Sequence, residues 1–187
     1  MVSPKYFLLF VLALSCMHVS ALSQVYLTKD DALKQYFPSA SSIDRKTIFL
    51  TEKQAEAIRS RAKARMESRI VTYYVARTGG GIDGYAFFET HVVRTMPETF
   101  VVVLSPGGAV RAVEILAFHE PEDYLPPRRW LTLFQGKTIK SDLWLKRGIQ
   151  NIVGATLSAQ GITEGVRTVL SIFELAVQKD HNDREEK

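Results

Sequence analysis

The middle of the chain contains short segments rich in β-branched and aromatic residues, the composition of β-strands. Four such segments are found, at residues 69–77, 84–93, 99–104 and 109–118. Glycine-rich turn sequences at 79–81 and 105–108 separate the first segment from the second and the third from the fourth. Short connections of this kind join antiparallel neighbours, so the pattern predicts an antiparallel meander. In the last segment we expect Val110, Ala112 and Leu116 to face the same side of the sheet.

Segments with an apolar residue every three or four positions flank this region and predict helices. Thr28 begins the first, and Thr51 begins the second through a capping box with Gln54. A further strand is predicted at residues 43–50 and a short helix at 128–134. The last helix has the most regular apolar face, formed by Ile162, Val166, Val169, Leu170, Phe173 and Val177. The prediction is an α+β fold: a central, mostly antiparallel sheet with flanking helices and a C-terminal amphipathic helix.

Small and hydroxylated residues stand where the chain passes into this last helix, at residues 154–158. Thr156 or Ser158 is expected to cap the helix, because a side-chain oxygen there can accept a free N–H of the first turn. Free N–H groups and the positive end of the helix dipole also attract phosphate. By itself the pattern is more often that of an ordinary capped helix, since caps of this type are common.

The sequence Gly-Ala-Thr-Leu-Ser at 154–158 resembles the Ser/Thr-Gly-Ala-Thr-Leu/Ile-Ser/Thr core of the FMN-binding domain family. That family includes the flavin-carrying subunits of the sodium-translocating quinone reductase and of Rnf-type electron-transport complexes. In those subunits a flavin transferase joins the FMN phosphate to the threonine by a phosphoester bond, and the matching residue is Thr156. The similarity extends over about residues 73–175. It implies an FMN whose phosphate end is shaped by Gly154, Ala155, Leu157 and Ser158.

Two positions depart from the family pattern. The family has Asp six residues before the threonine and Ser or Thr three residues before it, where this chain has Gln150 and Val153. Three states follow as alternatives: FMN attached to Thr156, FMN bound without a covalent link, or no flavin.

The resemblance implies further residues near the flavin ring. His91 ends a predicted strand, where it could donate a hydrogen bond or relay a proton. Glu120 lies in the loop 119–127, in the place of the family's His-x-Glu-Thr-Pro-Gly-Leu-Gly segment. The neighbouring carboxylates Glu122 and Asp123 allow acid–base chemistry if one has a raised pKa, or are simply solvated. Lys137 faces either a phosphate or solvent.

The composition limits the function classes. The chain of 187 residues, 46% hydrophobic, is long enough for one packed domain. Its net charge of +4 and the lack of a long Lys/Arg run argue against nucleic-acid binding. No pair of histidines has metal-ligand spacing, so no metal site is predicted.

The N-terminus has the form of a signal peptide, with a basic start, an apolar stretch and a small-residue cleavage site after Ala21. We therefore divide the chain into a signal peptide (1–21), a single FMN-binding domain (22–179) and a charged, disordered tail (180–187). Lipidation at Cys16 and a retained N-terminal anchor are the alternatives to cleavage after Ala21. Export to the periplasm or the outer face of the cytoplasmic membrane is expected.

The function that these features favour is electron transfer by an FMN-binding domain, without turnover of a small substrate. The implied partners are a flavin transferase, if attachment is covalent, and redox proteins or a membrane electron-transport complex. The alternative is a flavin-free binding or scaffold module that keeps the same fold, which the residues at 150 and 153 favour.

Overall fold

The structure is a computed structural model that describes residues 24–66 and 68–178. The predicted signal peptide (1–21) with Cys16 and the charged tail (180–187) lie outside the described residues. Within the two described ranges, no helix is long and apolar enough to cross a lipid bilayer.

The centre of the molecule is an antiparallel sheet. Its strands are β1 (Gln24–Val25), β2 (Ser42–Phe49), β3 (Ile70–Thr78), β4 (Gly81–Val92), β5 (Pro97–Leu104) and β6 (Val110–Phe118). Strands β3 to β6 form the predicted meander, β2 extends it by pairing with β3, and β1 pairs with the outer edge of β6. The glycine-rich turns join β3 to β4 and β5 to β6, which confirms the predicted connections.

In the part of the chain that the structure describes, the sheet is flanked by the helices α1 (Lys29–Tyr36), α2 (Glu52–Ala62), α3 (Arg128–Leu131) and α4 (Thr156–Ile172). A 3-10 turn lies at Glu122–Tyr124, α3 continues as a 3-10 turn over Thr132–Phe134, and α4 continues as a π-helical turn over Phe173–Val177. Thr28 caps α1. Thr51 and Gln54 form the predicted capping box of α2, and their reciprocal hydrogen bonds fix where that helix begins.

Each face of the sheet has its own apolar core, because successive residues of a strand point to opposite faces. On one face α1 contributes Ala32 and Leu33 to a small cluster. On the other face α2 and α4 cover the larger cluster, which includes Tyr73, Phe87 and Phe100. The predicted apolar face of α4 is fully buried in this larger cluster. The prediction of an α+β fold with a C-terminal amphipathic helix is therefore confirmed.

One prediction about β6 is wrong. Val110 belongs to the larger cluster, whereas Ala112 and Leu116 pack on the α1 side. The pairing register explains the difference: Leu104 lies opposite Val110 but Val103 lies opposite Ala112, so Arg111 is an extra residue on β6. A bulge of this kind reverses the alternation of faces, which a simple period of two does not anticipate.

Helix α4 lies unusually close to the sheet at two glycines. A Cβ added at Gly165 would lie 2.5 Å from the ring of Phe100, and one added at Gly161 would lie 2.4 Å from Nε2 of His91. The missing side chains let these two rings pack directly against the helix backbone. The far side of α4 is fixed by Arg167, which donates to the carbonyls of Ala62 (2.7 Å) and Leu143 (3.0 Å).

This close packing predicts the effect of Gly165→Ala. In an ordinary helix interior, alanine is more favourable than glycine by about 1 kcal/mol. Here the new methyl group overlaps the fully buried ring of Phe100, so we expect the free energy of unfolding to fall by about 1–3 kcal/mol. Urea unfolding followed by circular dichroism measures the change.

Gly80→Ala is the matched control, because nothing lies within 4 Å of a Cβ at that position. It should change the free energy of unfolding by less than about 0.5 kcal/mol. A Gly165→Ala protein as stable as the wild type would show that α4 can move away from the sheet without cost.

Candidate functional site

The site is built around the first turn of α4. The helix begins at Thr156, directly after Gly154, whose φ of 89° is in the region that favours glycine, and Ala155. Ala155 occupies the N-cap position and no side chain caps the helix. The N–H groups of the first turn therefore have no side-chain acceptor, and they keep their attraction for an anion.

The expectation that Thr156 or Ser158 caps α4 is wrong. The Thr156 hydroxyl donates to the carbonyl of Ile152 (3.0 Å) and the Ser158 hydroxyl to the carbonyl of Tyr124 (2.7 Å). Both residues lie inside the helix rather than before it. Their hydroxyls therefore hold the preceding loop and the 3-10 turn at Glu122–Tyr124 in place.

A cavity of about 240 Å³ opens beside this turn. Its lining includes all five residues of the Gly-Ala-Thr-Leu-Ser sequence, together with Val93, Arg94 and Tyr124. Thr156 and Leu157 are exposed, whereas Ser158 is buried. The structure thus brings the five residues to the wall of one cavity, with the Thr156 side chain accessible.

Sequence reasoning missed Arg94, the only charged residue in this lining. Its guanidinium lies 4.7 Å from the centre of the Tyr124 ring, a cation–π contact that positions it at the cavity. The positive charge of Arg94 and the positive end of the α4 dipole both favour an anionic ligand. In the sequence, the only indication that Arg94 lies near the site is its position three residues after His91, at the end of a predicted strand.

Glu120 does not line the cavity but organises its rim. One carboxylate oxygen accepts hydrogen bonds from the backbone N–H groups of Arg94 (3.1 Å), Thr95 (2.7 Å) and Met96 (2.9 Å). These bonds, that from Thr95 first, lower the pKa of Glu120, because they stabilise the charged form. An ionised Glu120 fixes the turn between β4 and β5, and with it the backbone that carries Arg94.

His91 lies beneath α4 and is not in the cavity lining. Its ring packs on Phe100, with 5.1 Å between the ring centres, and its Nε2 lies 3.7 Å from a carboxylate oxygen of Glu98. Burial lowers the pKa of His91. The negative charge of Glu164 on α4 raises it, but by less than burial lowers it. Glu98 was not singled out from the sequence, although its alternation with Phe100 and Val102 along β5 places it on the core face.

A second cavity of about 380 Å³ lies beside the middle of β6, where Glu114 and Ile115 line it together with Tyr26 and Leu125. The charged groups at its wall already pair with each other, since Arg128 donates to Glu114. Glu114 also accepts a hydrogen bond from Tyr36 (2.9 Å), and burial with this bond raises the pKa of Tyr36 to about 12. These groups are satisfied internally, so this cavity shows no reactive side chain.

No cluster of three histidine, cysteine or acidic residues that could hold a metal ion occurs in the described part of the chain. Lys137 does not line either cavity. The candidate site is therefore the Arg94 cavity, by which we mean the 240 Å³ space between the first turn of α4 and the turn after β4.

No protein-family model matches the chain, and no curated protein matches it in sequence. Among solved structures, the chain is similar to NqrC from Shewanella oneidensis, with 15% sequence identity and a TM-score of 0.53. The match covers 79% of this chain and 95% of that chain. At this identity the similarity shows the fold alone, which is the fold that the family resemblance implied.

Proposed function

We propose that this protein is an FMN-binding domain that takes part in electron transfer, with the FMN phosphate held in the Arg94 cavity. One observation carries the proposal. The five residues that resemble the family's flavin-attachment sequence line a single cavity with one arginine, at the uncapped start of a helix. The similarity of the fold to NqrC supports it.

The residues of the cavity fit the phosphate end of a nucleotide. Arg94 and the free N–H groups of α4 supply positive charge and donors, and Gly154 has no side chain to block access. The volume of about 240 Å³ is below the ~300–1,000 Å³ of pockets that enclose a whole small ligand. A bound flavin ring would therefore remain partly exposed, as transfer of electrons to another protein requires.

The chemistry would belong to the cofactor, because FMN accepts and donates one or two electrons through its ring system. The chain's own residues would bind and orient it: Thr156 at the phosphate, and Arg94, positioned by Glu120, as the counter-charge. The partners we propose are redox proteins or a membrane electron-transport complex, and a flavin transferase if attachment is covalent. We also propose export to the periplasm or to the outer face of the cytoplasmic membrane, from the signal-peptide form of residues 1–21.

A flavin-free binding or scaffold module is the second candidate. Gln150 and Val153 favour it, and so does the small volume of the Arg94 cavity. Both residues are exposed, Val153 almost completely at 99%. Neither has a role in the packed core, so they can be exchanged for the family's residues without disturbing the fold.

Thr156→Ala tests covalent attachment. In protein co-produced with a flavin transferase, the variant should lose all flavin that survives denaturation, because the acceptor hydroxyl is gone. Flavin fluorescence of the band in a denaturing gel measures the label. Thr156→Ser, which retains a hydroxyl, is the matched control and should keep it.

Label retained in Thr156→Ala would show that another residue is the acceptor. Yellow colour that is released from the wild type on denaturation would indicate noncovalent FMN. Colourless wild-type protein from a host that has the transferase would favour the flavin-free module.

The double variant Gln150→Asp with Val153→Ser tests the departures from the family pattern. We expect flavin loading under transferase co-production to rise, because the variant restores the acidic and hydroxyl residues of the family. The ratio of flavin to protein absorbance measures loading. No gain would mean that these two positions do not limit it.

Arg94→Gln tests the counter-charge. The Kd for noncovalent FMN should rise about tenfold or more, because a hydrogen bond to a charged group contributes ~1.5–3 kcal/mol. Riboflavin, which lacks the phosphate, should bind both proteins equally. Quenching of flavin fluorescence gives both constants, and the exposed Arg129→Gln is the control. Equal losses for FMN and riboflavin would place the phosphate away from Arg94.

A further inference from the structure

Glu98 is a carboxylic acid enclosed in the larger core. It is 0% exposed, and neither of its carboxyl oxygens has a hydrogen-bond partner. The Nε2 of His91 is also buried and without a partner. Buried polar atoms almost always have partners, so three unsatisfied atoms in one place require an explanation.

The two side chains face each other across neighbouring strands. His91 of β4 and Glu98 of β5 are directly opposed in the sheet, and 3.7 Å separate Nε2 from the nearer carboxyl oxygen. This separation is about 0.5 Å beyond an ordinary hydrogen bond, so a small rotation of either side chain closes it. Phe100 supports the histidine ring from one side, and Gly161 of α4 leaves the space that the ring fills.

Burial favours a neutral carboxyl group at Glu98. Burial raises the pKa of Glu98 to about 8. Glu89 lies two residues before His91 on β4, and burial raises its pKa to about 7. From α4, Glu164 acts on His91 and raises its pKa against the larger effect of burial, which lowers it. The arginine of that helix, Arg167, donates to the carbonyls of Ala62 and Leu143.

We propose that Glu98 and His91 form one proton-binding site, in which a single proton is held between the carboxyl group and Nε2 and exchanges with solvent through His91. The His91 side chain is 25% exposed and that of Glu98 is 0% exposed, so the histidine is the route to water. Uptake adds a proton to the neutral ring and passes the Nε2 proton to the carboxylate. The ring ends neutral and the net charge changes from −1 to 0.

This site lies under the same helix whose first turn lines the Arg94 cavity, since Gly161 is three residues after Ser158. It gives the protein one exchangeable proton near neutral pH beside the candidate anion site. The proposal does not depend on a bound flavin, and it stands or falls separately from the proposed function.

Nitrogen NMR of the His91 ring between pH 5 and pH 10 tests the proposal. In the wild type, the ring nitrogens should report a titration step near pH 8, well above the ordinary histidine pKa of ~6.5. Glu98→Gln should abolish that step, whereas Glu89→Gln, which removes the neighbouring carboxyl group, should leave it in place. A single wild-type step at the ordinary pKa, or an identical titration in Glu98→Gln, would overturn the proposal.

A second measurement keeps both members of the pair. In Glu89→Gln, which removes the other glutamate whose pKa burial raises, the infrared band of a protonated carboxyl group in protein labelled with ¹³C-glutamate should persist at pH 7 and disappear as the pH rises through about 8. The absence of any such band at pH 7 would show that Glu98 is ionised there, and would also overturn the proposal.

The free energy of unfolding should depend on pH through the same proton. Because the folded state holds the proton more tightly than the unfolded chain, stability falls as pH rises from the ordinary carboxyl pKa of ~4.3 to about 8. The lowered pKa of His91 acts in the opposite direction, but only below ~6.5. Between pH 6.5 and 8 the urea midpoint should therefore fall in the wild type and in Glu89→Gln, and fall much less in Glu98→Gln. An equal decline in Glu98→Gln and the wild type would contradict a shared proton.

Discussion

The close contact of α4 with the sheet is the constraint on which the rest of the molecule depends. Gly161 and Gly165 stand one helical turn apart, and each receives an aromatic ring from the sheet, His91 and Phe100. Because the rings meet the helix backbone directly, the helix cannot shift without opening a gap in the largest core. The position of its first turn, and hence of the Arg94 cavity, follows from that contact.

The hydroxyl groups at the start of α4 serve the surrounding chain and not the helix. Thr156 and Ser158 donate to carbonyls of the loop and turn that precede them, so the helix begins without a side-chain cap. An uncapped start costs about 1 kcal/mol of helix stability compared with a good cap. It leaves the first-turn N–H groups without a side-chain acceptor beside a cavity whose one charged lining residue is an arginine. A structural element that forgoes a local stabilising interaction at such a place is typical of a binding site.

Two carboxyl groups near the turn between β4 and β5, those of Glu120 and Glu98, favour opposite protonation states. At the exposed turn, Glu120 is ionised and holds three backbone N–H groups, which fixes the rim of the cavity. A few residues away, Glu98 faces the core, where it has no such donors and where burial favours its neutral form. Glu120 lies in the loop after β6 and Glu98 lies on β5. Hydrogen bonding lowers the pKa of Glu120, and desolvation raises that of Glu98.

The sequence by itself determined strands β2 to β6, the glycine-rich turns between them, the caps of the first two helices and the buried face of α4. Those features depend on local periodicity and on turn chemistry, which the residues carry directly. It also identified the cavity-forming stretch at 154–158, through resemblance to a family. Only the tertiary structure shows that Arg94 lines the cavity, that Glu98 is buried and that Arg111 forms a bulge. Each of them depends on what a neighbouring strand or helix places opposite it, and residues distant in sequence leave no periodic signal of that contact.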